Sequence, residues 1–407
     1  MSQTTSRWPE VDLKAVVRPR KRKADPKLLS DLPFIGLEHV EAHTGRLITY
    51  GNTRDVKSAV NLFEAGDVLY ARLRPYLNKV IRPTFSGAAS AEFIVLPGNE
   101  NIDARFLQFV LMQEAFVSFA SHINQGDRPR VDFEQIGIFR FPLPPIAEQR
   151  RIVARLDSLL AQSKAARAEL NKALALAKRQ RQAVLAKAFS GELTQDWREE
   201  RETAFNAGNA WEETTLEALA EVGTGATPKR GNPKYYENGT IPWVTSAVVN
   251  DLVVTRAEEL ITQVALEETN CKVFPKGTIL LAMYGEGKTR GQVTILGIEA
   301  ATNQALAAIR IKPQSRILQD FVLWFLRSNY LMLRQQAAGG VQPNLNLRII
   351  KNISVPLPSL EEQKEIVKRV EAAFAQIETM ENEAKKALAL AERLEQATLA
   401  KAFQGQL

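Results

Sequence analysis

PLPPIAEQRRIVARLDSLLAQSKAARAELNKALALAKRQRQAVLAKAFSGEL, residues 142–193, returns at residues 356–407 as PLPSLEEQKEIVKRVEAAFAQIETMENEAKKALALAERLEQATLAKAFQGQL. The copies lie at a constant offset of 214 without a gap and agree at 27 of 52 positions, so one segment has been duplicated. Each copy opens on prolines and then continues in Ala, Leu, Glu, Lys, Gln and Arg, strong helix formers, with no further proline. The spacing predicts one long helix per copy. Apolar or small residues alternate four and three apart, with Ser163 and Gln180 filling two steps of the first copy, and the large ones are Ile152, Leu156, Leu159, Leu170 and Val184 in the first copy and Ile366, Val370, Ile377, Met380 and Leu394 in the second. Gly191 and Gly405 fall where a helix C-cap belongs. The first copy carries a net charge of +6 and the second −2, so they attract each other and repel themselves. Each helix follows its own globular segment, and the expectation is an antiparallel coiled coil within the chain. A helix from Glu148 to Phe189 would be about 60 Å long at 1.5 Å per residue.

The segments before the two helices, 1–141 and 211–355, resemble each other weakly. Trp8-Pro9-Glu10 matches Trp211-Glu212-Glu213, FEAGDVLYA at 63–71 matches FPKGTILLA at 274–282, and a helix near Ala104 to Met112 matches one near Gln319 to Leu326. Gly126 to Phe141 corresponds to Gly340 to Val355. Short strands mixed with helices make both segments α+β. The expected order is a first α+β domain (1–141), helix (142–193), polar linker (194–210), second α+β domain (211–355) and second helix (356–407).

The net charge of +7 and a pI near 9.3 point to an acidic partner. Cys271 is the single cysteine, which rules out an internal disulfide and suits a reducing compartment. The basic N-terminal stretch lacks the apolar run of a signal peptide, and no apolar stretch is long enough to span a bilayer. A soluble, cytoplasmic protein without membrane partners is expected.

The PLPP…EQ start of a long helix, the LAKAF-x-GEL ending, and the duplication around two divergent segments resemble the specificity subunit of type I restriction–modification enzymes. GTGATPKRGNPKYYENGTIPWVTS at 223–246 is similar to a pattern found in that family's target-recognition domains. The resemblance covers essentially the whole chain. It implies a non-catalytic subunit that binds a split target on double-stranded DNA, one half per recognition domain. It also implies docking of two adenine-N6 methyltransferase subunits that use S-adenosylmethionine, and of an ATP-dependent restriction and translocase subunit requiring magnesium. The chain itself would hold no cofactor and no metal.

Motifs for chemistry are missing from the sequence. GEGKT at 285–289 imitates a phosphate loop, but the glycine required five residues before Gly287 is Ala282. It reads better as the tip of a strand–loop–strand, where Lys288 and Arg290 suit phosphate and Glu286 or Gln292 suits base edges. His39 and His43 lack enough further donors for zinc. A nucleophile elbow and the Asn/Asp-Pro-Pro-aromatic motif of adenine methyltransferases are also absent. The competing reading, a nuclease or methyltransferase fused to recognition domains, loses ground accordingly. Candidate DNA contacts in the first domain are Arg72, Arg74, Lys79, Arg128 and Arg130, with the run from Arg18 to Lys23 on the backbone. In the second domain they are Thr227, Lys229, Arg230 and Tyr235, with Trp243 equally suited to core or contact. Gln342 and Asn344 stand where the first domain has Arg128 and Arg130.

If the repeats act as a ruler between two half-sites, lengthening them lengthens the gap. Inserting Ala-Glu-Leu-Ala after Ala168 adds about 6 Å and rotates one end by about 40°. One base pair rises about 3.4 Å and twists by about 34°. The spacer is therefore expected to grow by about one to two base pairs with both half-site sequences unchanged. Mapping of methylated sites in cells carrying the variant checks this, and a fixed spacer in an active complex would exclude the ruler.

Overall fold

The computed structural model describes residues 8–29, 31–124, 126–202, 211–285, 289–338 and 344–403. The chain divides into two compact units, residues 1–172 with 384–407, and residues 173–383. This division cuts across the five consecutive segments read from the sequence, because each long helix begins in one unit and ends in the other. The helices are Ile146–Phe189 and Leu360–Phe403, 44 residues each. Among the described residues no single helix is long and apolar enough to cross a membrane.

In the first unit, strands Lys23–Ala24, Val60–Phe63, Gly87–Ser90, Pro33–Ile35 and Gly51–Asn52 form a five-stranded sheet in that spatial order. Val68–Ala71, flanked by Val80–Ile81 and Phe93–Leu96, forms a three-stranded one. Glu10–Asp12 pairs antiparallel with Arg140–Pro142, which brings the start of the domain to the strand that leads into the long helix. In the second unit Glu212–Thr215 and Ser354–Leu357 pair in the same way. A five-stranded sheet there runs Ala220–Thr224, Leu306–Ile311, Ile279–Ala282, Val293–Leu296, Val253–Val254. A four-stranded one runs Glu259–Ile261, Ile241–Val244, Ala300–Thr302, Val273–Phe274. The matched stretches at 63–71 and 274–282 turn at Gly66 and Gly277, both with φ of 92°, a conformation that penalises any residue with a Cβ.

Each unit is fixed to the helix that starts in it by a glutamine with no exposed surface. Gln149 Oε1 accepts the Asp103 N–H at 2.8 Å, while its Nε2 donates to the carbonyls of Asn101 (2.9 Å) and Pro144 (2.8 Å). Its repeat equivalent Gln363 accepts the Leu318 N–H at 2.8 Å and donates to Arg316 (3.0 Å) and Pro358 (2.9 Å). The helix ending in each unit is held by an aromatic residue. Phe403 packs 5.3 Å from Phe106 in the first unit, and Phe189 lies 5.3 Å from Phe321 in the second.

The helices pair antiparallel. In the first unit the Ser163 hydroxyl donates to Glu395 Oε1 at 2.6 Å, and Arg167 reaches Glu392 at 3.1 Å and Glu395 at 3.5 Å. In the second, Arg181 meets Glu381 at 3.1 Å and stands over the Phe374 ring. Of the expected seam, Ile152, Leu156, Ile366, Val370 and Ile377 are buried and Leu159, Leu170 and Val184 half-buried. Met380 and Leu394 are instead 51% and 61% exposed. The inward positions there are Glu381 and Glu395. A strict seven-residue repeat drifts by about 20° per heptad from a straight α-helix, and here the contact face takes up the drift by stepping four residues from Ile377 to Glu381 before Ala384.

The segment expected as a linker is helical over Gln195–Glu202 and tied to the second long helix, while residues 203–210 lie outside the described ones. Arg369 bonds Asp196 at 2.6 Å and the Leu193 carbonyl at 2.8 Å, and holds the Asp196 carboxyl below its usual range. Buried Glu362 takes Trp211 Nε1 at 3.1 Å, the Thr194 hydroxyl at 2.8 Å and the Arg198 guanidinium. Arginine and glutamate side chains with defined partners turn a polar connector into ordered structure.

Arg167 and Glu381 occupy one repeat position, and Arg181 and Glu395 another. Both positions are arginine in the first copy and glutamate in the second. Replacing Arg167 and Arg181 by Glu should lower stability by about 1 kcal/mol in total, as for partly exposed pairs. Adding Glu381→Arg and Glu395→Arg to the same chain should recover most of it. Urea denaturation of the wild type, the double variant and the quadruple variant reads this directly.

Candidate nucleic-acid interface

In the first unit the fully buried strand Val68–Ala71 runs out into Arg72, Leu73 and Arg74, where it meets the segment after Gly126. The Val131 N–H donates to the Arg72 carbonyl (3.0 Å), the Arg74 N–H to the Pro129 carbonyl (2.8 Å), and Leu73 bridges Arg130. Two distant groups of candidate residues, 72–79 and 128–130, thus share one edge. Their side chains are not equally free. Arg72 Nε donates to the Val131 carbonyl at 3.1 Å, Lys79 Nζ to the Leu37 carbonyl at 2.7 Å, and Arg130 pairs with Glu92 at 2.6 Å. These three brace the edge. Arg74 and Arg128 are exposed and carry no carboxylate partner among the described residues. Within the basic run Arg20 binds Asp67 (2.8 Å) and Glu64 (3.1 Å) and Arg22 binds Glu64 (3.1 Å), while Arg18, Lys21 and Lys23 stay exposed. His39 accepts the Gly36 N–H through Nδ1, and among the described residues no cluster of three or more His, Cys, Asp or Glu is placed to hold a metal.

The second unit repeats this clasp. The Leu345 N–H donates to the Met283 carbonyl at 3.1 Å, and Leu345 and Met283 are the counterparts of Val131 and Arg72. GEGKT lies in the connection between strands Ile279–Ala282 and Val293–Leu296, which pair antiparallel as a hairpin. Thr289 and Arg290 lie in its half-buried return, and Gln292 accepts the Ala282 N–H through its carbonyl at 3.0 Å. Glu286, Lys288 and Gln342 lie outside the described residues, and Asn344 is half-buried beside Leu345. Thr227 bonds Gln304 at 2.6 Å, next to Ala305, whose carbonyl takes the Met283 N–H at 2.8 Å. Thr227 therefore belongs to the same edge as the hairpin. Gly225 makes this possible, since a Cβ there would fall 1.8 Å from the Thr302 carbonyl oxygen. Lys229 is exposed. Arg230 grips Glu259, which raises its already high pKa, and lies 4.9 Å from the Trp243 ring, while the Tyr235 hydroxyl bonds Glu268 at 3.0 Å. Trp243 is 1% exposed with its Nε1 on the Ala226 carbonyl, which makes it core and not contact.

The family described as the type I restriction modification DNA specificity domain matches residues 22–175 and again 209–389. The chain belongs to that family. It carries two specificity domains, each containing one clasp. Over 278 residues it is 33% identical to the EcoBI specificity subunit of Escherichia coli, covering 65% of this chain and 58% of that one. The StySPI specificity subunit of Salmonella potsdam is 30% identical over 79% of this chain and 68% of its own length. The chain thus spans little more than half the length of the EcoBI subunit. In fold it matches a chain from a structure titled as complex assembly and conformational transition of the type I R-M system, with a TM-score of 0.81 and 22% identity over 98% of both chains. The HsdS subunit from Thermoanaerobacter tengcongensis gives 0.64 and 22% identity over 98% of this chain and 97% of that one.

Arg327 of the second specificity domain escaped the sequence reading. It reaches from the helix Gln319–Ser328 to the carbonyls of Val293 (3.1 Å from Nε, 3.0 Å from Nη2) and Leu252 (3.2 Å), so it ties the hairpin base to the domain core. Burial pulls its pKa down to about 10. Nothing in local sequence distinguishes it from a surface arginine at a helix end. Trp243→Ala should destabilise the second specificity domain by about 3–5 kcal/mol, the cost of truncating a buried aromatic. Guanidinium denaturation followed by hydrogen exchange in each domain checks this, and a cost under about 1 kcal/mol would return Trp243 to the list of contacts.

Proposed function

We propose that this chain reads a two-part sequence on double-stranded DNA, one part with each specificity domain, and performs no chemistry itself. The observation that carries the reading is the repeated clasp with changed side chains. One backbone arrangement recurs in both domains, and the exposed Arg128 of the first has Gln342 as its counterpart in the sequence of the second. A conserved frame with exchanged hydrogen-bonding groups is what two readers of different base sequences require. The relatives' names, type I restriction enzyme specificity subunits, support the same reading. On it, the two long helices dock a pair of adenine-N6 methyltransferase subunits that use S-adenosylmethionine. An ATP- and magnesium-dependent restriction and translocase subunit completes a cytoplasmic complex.

Selection of bound duplexes from a random pool by the purified chain should return two fixed half-sites around an unspecified gap. Lys288→Ala with Arg290→Ala should degrade one half-site, leave the other, and reduce the slope of log K against log salt by about one to two. An equal loss at both half-sites would remove the one-domain, one-half-site assignment. Methyl transfer, DNA cleavage or ATP hydrolysis by the purified chain alone would overturn the non-catalytic reading.

A further inference from the structure

The edge of the first specificity domain carries a feature with no assigned role. Pro75–Leu77 form one turn of 3-10 helix between two residues in the left-handed region, Arg74 (φ 53°) and Asn78 (φ 39°). Only four non-glycine described residues have positive φ, and a third, His43 (φ 62°), donates its N–H to the carbonyls of Leu77 and Asn78, both at 3.2 Å. Residues with a Cβ stay in this conformation only where their surroundings over-determine it, and such places gather at functional sites. Here the surroundings are visible. Pro75 and Asn78 are buried, the Arg74 N–H is tied to Pro129, and Lys79 is tied to Leu37. From this fixed base Tyr76 projects with 45% of its surface exposed. A tyrosine held this way offers a large contact area at little cost in side-chain freedom.

We infer that Tyr76 is a specificity-determining residue of the first domain, which packs its ring on the C5-methyl group of a thymine in the major groove. The inference rests on the reading of the chain as a DNA recogniser. A helical turn with its side chains is too broad for a minor groove of about 6 Å and fits a major groove of about 12 Å. The thymine methyl is the apolar group displayed there, and the ring is the apolar group displayed at the turn. The exposed, carboxylate-free Arg74, beside Tyr76, and Arg128, on the adjoining loop, suit phosphate or guanine on either side.

Deoxyuridine differs from thymidine only by this methyl group, which allows a direct test with the full chain. After the half-sites are selected, each thymine of the half-site retained by the Lys288→Ala, Arg290→Ala variant is replaced singly by deoxyuridine, and binding is followed by fluorescence anisotropy. One replacement should weaken wild-type binding about four-fold, the effect of burying one methyl-sized group. Tyr76→Ala should bind the thymine and uracil duplexes equally while keeping the other half-site preference. Tyr76→Phe should keep the discrimination. Because Tyr76 is half exposed, the Ala variant is expected to retain the wild-type circular dichroism. A half-site without an A·T pair, no thymine whose methyl matters, or an Ala variant that still discriminates would overturn the role of Tyr76 and leave the broader reading standing. Failure of the wild-type chain to select any motif would overturn both.

Discussion

The buried glutamine at the first turn of each long helix is the constraint on which the arrangement depends. Its fully buried amide bonds one backbone N–H and two backbone carbonyls, and a buried polar group left unsatisfied costs about 1–3 kcal/mol. No other side chain of that size offers one acceptor and two donors from a planar group. Gln149 therefore sets both the angle at which its helix leaves the domain and the start of the helix Ala104–Met112, where Asp103 supplies the N-cap. Gln363 does the same beside Leu318.

With both helices fixed at their starts, their far ends have to be received, and here apolar burial takes over. Leu399, Ala402 and Phe403 join the core of the first unit, and Ala188 with Phe189 the core of the second. Between the anchors the contact face is poor in large apolar residues and depends on alanine and on arginine–glutamate pairs. Such pairs contribute little stability, but they distinguish partners, because two like copies would oppose arginine to arginine or glutamate to glutamate. Selection of the right partner and stability are thus supplied by different residues.

The same separation holds at the clasped edges of the two domains. Arg72, Lys79 and Arg130 spend hydrogen-bonding capacity on the backbone or on Glu92, and Arg230 spends its own on Glu259. They make the edge rigid. Arg74, Arg128, Lys229 and Tyr76 stay exposed and are positioned by that rigidity. Base readout needs side chains held in place, since a loop ordered only on binding loses part of its interaction energy to the entropy of ordering.

The duplication, the two long helices, the pairing of opposite charges and the α+β character of both domains are legible from the chain alone. These follow from composition, proline placement and residue spacing, which act locally or repeat visibly. The hairpin around GEGKT was legible for the same reason, because alternating apolar runs flank a glycine-rich tip. Which candidate cations are braces and which are exposed emerges with folding, since Arg72 and Arg74 look alike until the Val131 carbonyl takes one of them. Folding also decides the contact face of the second helix, where an extra residue step turns Glu381 and Glu395 inward and leaves Met380 and Leu394 outside. Burial of Gln149, capture of Arg327 and the left-handed turn beneath Tyr76 depend on partners tens of residues away, which no local pattern can report.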